Sequence, residues 1–415
     1  MSDQAEHIVT DHIVILGGGH GGGSVAAFLR QFGWKGGITL VSEEPIPPYH
    51  RPPLSKAWLK GEADAASLAL RPPKFYTDQN VTLRLSTHVT AIDRPRKCLV
   101  LESGETLAYD RLVLALGSRA RKLDLPGIGL DGILELRSAA DADRLKAAIA
   151  PGRKLAIVGA GYIGLEAAAS ARAIGAEVVV IEREARVLAR VACQPLSDFF
   201  EDYHRRHGVV LELNAGVAGF EGKDGHVAGV RMADGRLIAC DAVLVGVGGV
   251  SNDDLAKAAG LECQNGIVVD EQARTSDPAI YAIGDCSNRP LPLYHRRGRL
   301  ESVPNALEQA KQAAATICDR TPPAPEVPWF WSDQYDLKLQ IAGLAHDVAE
   351  LVIRGDPAGA HFAVFHLDAE GAVQAVEAIN AAPEFMAGKS LIAKRKPVDR
   401  EKLADLSVSM KEIAA

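Results

Sequence analysis

Two stretches of this sequence place glycines and an acid where a nucleotide could be held. Gly17-Gly18-Gly19-His20-Gly21-Gly22 is followed 21 positions after Gly22 by Glu43, and Gly159-Ala160-Gly161-Tyr162-Ile163-Gly164 is followed 18 positions after Gly164 by Glu182. In a G-x-G-x-x-G turn the first glycine permits the tight bend, the second lets backbone approach a pyrophosphate, and the third lets helix pack on strand. The helix start then offers free N–H groups and a positive dipole end to phosphate. An acid about 20 residues on accepts hydrogen bonds from ribose hydroxyls.

Glycines alone are weak signals, so the flanking elements decide. The apolar run Ile13 to Leu16 predicts a strand, Ser24 to Phe32 a helix closed by Gly33, and Ile38 to Val41 a second strand. The same grammar returns with Leu155 to Val158, a helix to Ile174 closed by Gly175, and Val178 to Ile181. The repeat runs further: Ser103-Gly104 precedes a returning strand from Asp110 to Gly117, and Asp234-Gly235 precedes one from Asp241 to Gly248. Glycine to aspartate is six positions in both copies, and aspartate to glycine seven. Each half reads as a βαβ unit, a small antiparallel insertion and a further strand ending in glycine, so two dinucleotides are implied.

The segment Pro48-Tyr49-His50-Arg51-Pro52-Pro53-Leu54-Ser55-Lys56 resembles the flavoprotein ferredoxin reductases of bacterial oxygenase systems, of the putidaredoxin reductase type. So do Thr275 to Asp285, Glu301-Ser302-Val303-Pro304-Asn305-Ala306-Leu307-Glu308-Gln309-Ala310, and Pro328-Trp329-Phe330-Trp331-Ser332-Asp333-Gln334. The likeness spans essentially the whole chain. It implies an α/β fold of two Rossmann-like dinucleotide-binding domains, as in glutathione reductase-like flavoproteins, plus a C-terminal α+β domain. Residues 1–120 and 249–325 would form a discontinuous FAD-binding domain, 121–248 an NADH-binding domain and 326–415 the C-terminal domain.

Carried over by position, Gly17, Gly19, Gly21 and Gly22 line the FAD pyrophosphate and Glu43 takes the adenosine ribose. Arg51 and Lys56 lie near phosphate and flavin, Val89 offers backbone to adenine, and Gly284-Asp285 reaches the ribitol chain. Ala115 and Gly117 end the returning strand, and Arg137 matches by position only. Gly159, Gly161, Tyr162, Ile163, Gly164, Glu182 and Gly248 belong to the NADH side. Trp331 approaches the flavin or fills an interdomain core; Tyr162 covers the flavin or simply packs. Lys56 and Glu166 are expected to pair beside the flavin where hydride arrives. Pro304 suits the start of a helix, whose N-terminus at Val303 would stabilise negative charge on a reduced flavin. Two positions depart from the family: Leu114-Ala115-Leu116-Gly117 stands where Ala-Thr-Gly is usual, and Gly21 where alanine is frequent. Glu182 favours NADH by repelling a 2′-phosphate, while Arg183 and Arg186 leave NADPH open.

The 415 residues carry 46 basic and 53 acidic side chains, a net charge of −7 that argues against a bulk nucleic-acid surface. The uncharged stretch His12 to Leu29 holds six glycines, which argues against a membrane span. Met1 to Asp11 lacks the basic start of a secretory signal. Six cysteines, no two closer than 23 positions, exclude C-x-x-x-x-C and zinc-finger spacing and fit a cytoplasmic protein. A dithiol mechanism is thereby disfavoured. Two basic stretches, Arg289 with Arg296, Arg297 and Arg299, and Lys389 with Lys394, Arg395 and Lys396, are either solvated faces or, with Lys311, a docking surface for an acidic two-iron two-sulfur ferredoxin. After a linker near Ala324 to Pro328, alternating runs predict an antiparallel sheet with a helical tail. The resulting expectation is an NADH-dependent ferredoxin reductase serving an oxygenase, a heme-thiolate monooxygenase before a Rieske dioxygenase. A rubredoxin reductase and an NADH-sensing flavoprotein resembling apoptosis-inducing factor are the rivals.

Overall fold

A computed structural model describes residues 11–414; the acidic start that argues against a secretory signal lies, apart from Asp11, outside the described residues. The chain divides into two compact units. One comprises the chain up to His50, Ala65–Ser118 and Ser251–Glu326; the other comprises Arg51–Asp64, Arg119–Val250 and Val327–Ala415. In this grouping residues 51–64 pack with the second unit, which also holds the C-terminal residues.

The first unit is built on a parallel sheet in the order Ile280–Ala282, Arg111–Leu114, His12–Leu16, Gly37–Val41, Val81–Arg84. The second repeats this with Ile133–Leu134, Ala242–Val245, Lys154–Val158, Glu177–Ile181 and Val209–Glu212. Buried on both faces, the central stretches Ile13–Leu16, Leu112–Leu114, Leu155–Val158 and Ala242–Val245 read as unbroken apolar runs. In each sheet the order reverses beside the strand that feeds the glycine turn, the place where such sheets bind ligands. Both antiparallel insertions are present as three-stranded sheets.

The duplication extends to single atoms. The N–H of His12 donates to Asp110 Oδ2 at 2.7 Å and that of Lys154 to Asp241 Oδ2 at 2.7 Å, while the aspartate N–H groups return to His12 O and Lys154 O at 2.8 Å each. These are the two aspartates of equal spacing, and each locks the returning strand against the first.

In the C-terminal part, five antiparallel strands run in the order Trp329–Gln334, Leu337–Gly343, Val373–Ile379, His361–Leu367, Glu350–Asp356. Helix Ala382–Lys394 lies on this sheet at Gly388, where a Cβ would come 2.4 Å from Val376 Cγ1. The buried Arg354 ties down the tail, pairing with Glu384 at 3.3 Å and donating to the carbonyls of Leu403, Asp405 and Val408 at 3.1, 2.6 and 2.8 Å. Among the described residues no helix is long and apolar enough to cross a membrane.

Candidate nucleotide sites and the Lys56–Glu166 cluster

Each glycine turn is forced by backbone contact. Gly17 and Gly159 are left-handed, with φ of +121° and +108°, and a Cβ on them would sit 2.2 Å from Ala115 O and 2.4 Å from Gly246 O. A Cβ on Gly22 or Gly164 would sit 1.9 or 2.2 Å from the carbonyl oxygen of Gly17 or Gly159. The first helix begins at His20 rather than Ser24, so Gly21 to Gly23 lie inside its first turn.

The residues present fit dinucleotides. Helices His20–Gln31 and Tyr162–Ile174 start from Gly19 and Gly161, which have no capping side chain, and neither first turn holds an acid. By contrast, Ser138, Ser302, Asp399 and Ser409 cap their helices with side-chain oxygens. The N–H groups of the two glycine-headed helices are thus left for an anion. Gly161 has φ −80° and ψ −179°, open to any residue, and a Cβ there would meet nothing within 4 Å. Neither strain nor packing requires glycine at that position; close approach of a ligand would. Ile163 beside it is 47% exposed, and Gly248 lies close to the Arg190 guanidinium.

The two acids are not equivalent. Val41 and Ile181 end matching strands, so Glu182 corresponds to Ser42, and Glu43 is one residue further along. Glu182 accepts from the N–H groups of Ala160 and Glu184 at 2.7 and 3.0 Å, which fixes its carboxylate beside the glycine turn. Glu43 is exposed, 2.8 Å from His88 Nδ1. Of the two arginines that left NADPH open, Arg186 is committed to the carbonyls of Ala189 and Ala192 and to Ser197 Oγ at 2.9, 2.8 and 2.5 Å, whereas Arg183 is exposed and pairs with Glu184 at 2.9 Å.

Within the first unit, Ser118 Oγ donates to Asp285 Oδ2 at 3.1 Å, joining the end of the returning strand to the Gly284-Asp285 turn. Gln309 Oε1 accepts from Gly284 N–H at 2.9 Å and Ser287 Oγ at 2.8 Å, so helix Val303–Ile317 is fastened to that turn. Val303 is the first residue of this helix and Pro304 the second, behind the Ser302 cap. Val89 is buried in a strand paired to Leu101, and Leu116, where the family's threonine is absent, packs on the apolar core. Arg51 Nη1 donates to Arg137 O at 2.6 Å in the second unit, which brings those two residues together.

The Lys56–Glu166 pair forms at 2.6 Å, with side chains 18% and 4% exposed. Glu166 also accepts from Ser55 Oγ at 2.5 Å and Ser332 Oγ at 2.7 Å, two serines that the sequence reading missed. Strand Trp329–Gln334 alternates: Ser332 meets Glu166, and Phe330 meets Tyr162 edge-on with ring centroids 4.8 Å apart. Trp331 points to the other face, its ring 5.7 Å from that of Trp329. The Tyr162 hydroxyl donates to Val191 O at 3.1 Å, and burial, with Glu377 and Cys193 nearby, raises its pKa well above the ordinary value.

The basic stretches are less uniform than their linear charge. Arg289 is buried and held by Glu308 and Asn305 at 2.7 and 2.9 Å, which removes it from any docking surface. Arg299 is 13% exposed and paired with Glu301. Arg297 donates to Asn288 O at 2.8 Å and to Val269 O, yet remains exposed, as do Arg296 and Lys311 in the first unit and Lys394, Arg395 and Lys396 in the second. Lys389 lies over the Trp329 ring.

Two parallel sheets, each with an uncapped glycine-headed helix at its reversal point, define a two-dinucleotide oxidoreductase. Residues 11–310 match the model of the pyridine nucleotide-disulphide oxidoreductases and residues 329–414 that of the reductase C-terminal domain. The chain belongs to the pyridine nucleotide-disulphide oxidoreductase family, and its cofactors are FAD and NAD(H). It is 51% identical over 405 residues to a probable ferredoxin reductase, CtmF, of Castellaniella defragrans, covering 97% of this chain and 99% of that one. A rubredoxin-NAD(+) reductase of Pseudomonas putida is 41% identical over 341 residues, 82% of this chain and 89% of its own. The reductase in the crystal structure of the covalent putidaredoxin reductase-putidaredoxin complex superposes with a TM-score of 0.94 at 43% identity, covering 97% of this chain and 98% of that chain.

Proposed function

We propose that this protein is an NADH-dependent ferredoxin reductase that delivers single electrons to a two-iron two-sulfur ferredoxin feeding an oxygenase, a heme-thiolate monooxygenase foremost. One observation carries the reading: the chain offers two dinucleotide cradles, yet all six cysteines are free and widely spaced, so no protein dithiol can store the electrons. They must leave to an external acceptor. The free thiols also fit a cytoplasmic setting.

FAD supplies the conversion of a two-electron hydride into one-electron transfers. Gly17, Gly19, Gly21 and Gly22 with the start of helix His20–Gln31 hold its pyrophosphate, Glu43 and Val89 its adenosine, and Ala115, Gly117, Gly284 and Asp285 its middle. Arg51, Arg137, Val303 and Trp331 are assigned to it by resemblance. Gly159, Gly161, Ile163, Gly164 and Gly248 cradle NADH. Two of the lone-pair sites of Glu182 are taken by backbone N–H groups, and the others remain for ribose hydroxyls. A 2′-phosphate would meet that carboxylate with only Arg183 to offset it. Lys56 Nζ is held at 2.6 Å by Glu166 Oε2, and Tyr162 closes over the nicotinamide path.

Anaerobic stopped-flow mixing of the yellow protein with NADH, NADPH and then oxidised ferredoxin tests this. NADH should bleach the flavin at least about tenfold faster than NADPH, with rapid reduction of ferredoxin to follow. Transfer to rubredoxin but to no ferredoxin would make it a rubredoxin reductase, and bleaching without any transfer a sensing flavoprotein. Charge reversal at Lys311 and Lys396 should slow ferredoxin reduction about tenfold at low salt and flatten its salt dependence, with NADH bleaching unchanged. An unaltered ferredoxin rate would sink the docking assignment.

A further inference from the structure

Within the second unit, three metal-ligating side chains far apart in sequence meet where helix Gln194–Arg206 begins over the C-terminal sheet. Cys193, His366 and Glu377 each place one ligand atom within 4.8 Å of the others. Val364 stands opposite Glu377 on adjacent antiparallel strands, so His366, two residues on, shares its face. Cys193 precedes the helix and lies over that face, with Sγ 3.0 Å from Glu377 Oε2.

The contacts among the three leave the His366 nitrogen unsatisfied. His366 Nε2 lies 3.2 Å from Glu377 Oε1 but forms no hydrogen bond, and this atom is buried without any partner in a residue only 2% exposed. The Glu377 carboxylate is equally buried, and its other contacts are the Cys193 thiol and the Cys193 N–H. A buried, unpartnered imidazole nitrogen beside a buried carboxylate is costly unless something stands between them. Ligand atoms around a tetrahedral ion at ordinary bond lengths lie roughly 3.3–3.6 Å apart. The two spacings to the carboxylate, 3.0 Å from Cys193 Sγ and 3.2 Å from His366 Nε2, need to open by only a few tenths of an ångström, and the three ligand atoms already lie within 4.8 Å of one another.

We propose that Cys193, His366 and Glu377 form a zinc site, binding Zn2+ through Sγ, Nε2 and one carboxylate oxygen, with a water as fourth ligand on the solvent side of Cys193. Thiolate, imidazole and carboxylate together select a borderline ion such as Zn2+ over Mg2+ or Ca2+, which take oxygen ligands. Binding replaces the thiol proton, which leaves to solvent, and the second carboxylate oxygen keeps its hydrogen bond from Cys193 N–H. None of the three ligands is among the residues assigned to either nucleotide. The site borders Tyr162, whose hydroxyl donates to Val191 O two residues before Cys193.

The test uses the flavin-bound protein, stripped with chelator and titrated with zinc sulfate. About one zinc per chain should remain after desalting, and zinc should protect Cys193 from alkylation, read by peptide mass spectrometry against the other five cysteines. His366→Gln should weaken binding at least about tenfold and abolish that protection. Cys193→Ser, in a partly exposed position that tolerates a smaller side chain, should lower zinc content equally. No retained zinc in the wild type, or zinc whose affinity is indifferent to both substitutions, would overturn the proposal.

Discussion

Gly22→Ala is expected to give a protein that no longer retains flavin, whereas Gly164→Ala should remain yellow but lose its bleaching by NADH. The reason is the same in both turns: the new methyl would lie 1.9 Å from Gly17 O or 2.2 Å from Gly159 O. The obstructing atom is backbone, and it belongs to a glycine at φ +121° or +108° whose own Cβ position is blocked by a neighbouring strand. Relief therefore requires the helix start to move off the sheet, which carries the phosphate-facing N–H groups out of line. A loss of about 2.7 kcal/mol in either cradle corresponds to a hundredfold weaker nucleotide. Gly21→Ala is the control, since its Cβ would come only to 3.3 Å from the side-chain tip of Ile283 rather than against backbone, and alanine favours the helix by about 0.5–1 kcal/mol. Flavin absorbance per chain and the rate of NADH bleaching read the outcome. If Gly164→Ala bleached at the wild-type rate, the second cradle would not be the NADH site.

Glu166→Ala should lower stability by about 3 kcal/mol and slow reduction by NADH at least about tenfold. Glu166 is 4% exposed and accepts from Ser55, Lys56 and Ser332 at 2.5, 2.6 and 2.7 Å. Deleting it takes from the Ser55 and Ser332 hydroxyls their shortest acceptor and leaves the Lys56 ammonium, 18% exposed, without its counter-charge. Breaking one side of a buried pair costs more than removing the pair. The double variant Lys56→Met/Glu166→Gln should hence recover much of the stability in urea denaturation while hydride transfer stays slow. Recovery of both together would mean that the pair serves only the fold.

Much of this architecture is legible because spacing repeats and backbone geometry obeys spacing. The equal intervals around Asp110 and Asp241 imply that the two halves are built alike, and both aspartates accept the first strand's N–H at the same 2.7 Å. The Lys56 and Glu166 pairing is legible from resemblance. Ser55 and Ser332 are not, since serine occurs everywhere and only tertiary contact singles these two out. The basic stretches mislead because linear charge does not show which strand is covered: Arg289 lies in the buried strand Ser287–Leu291 and meets Glu308, while Arg296 and Arg297 belong to the exposed neighbouring strand Arg296–Gly298. Cys193, His366 and Glu377 span 184 positions, and no local motif could announce them. The grouping of residues 51–64 with the second unit is likewise set by packing, here of Leu59 into its core.

Strand Trp329–Gln334 presents two side chains to helix Tyr162–Ile174 and two to the opposite face. A reductase C-terminal module grafted from a relative would therefore have to bring a matching hydroxyl at position 332 and an aromatic ring at 330. Otherwise the chimera would inherit a carboxylate short of one donor and a tyrosine short of its neighbour. Cassette exchange along this lineage is constrained at the seam, by alternate residues of a single strand.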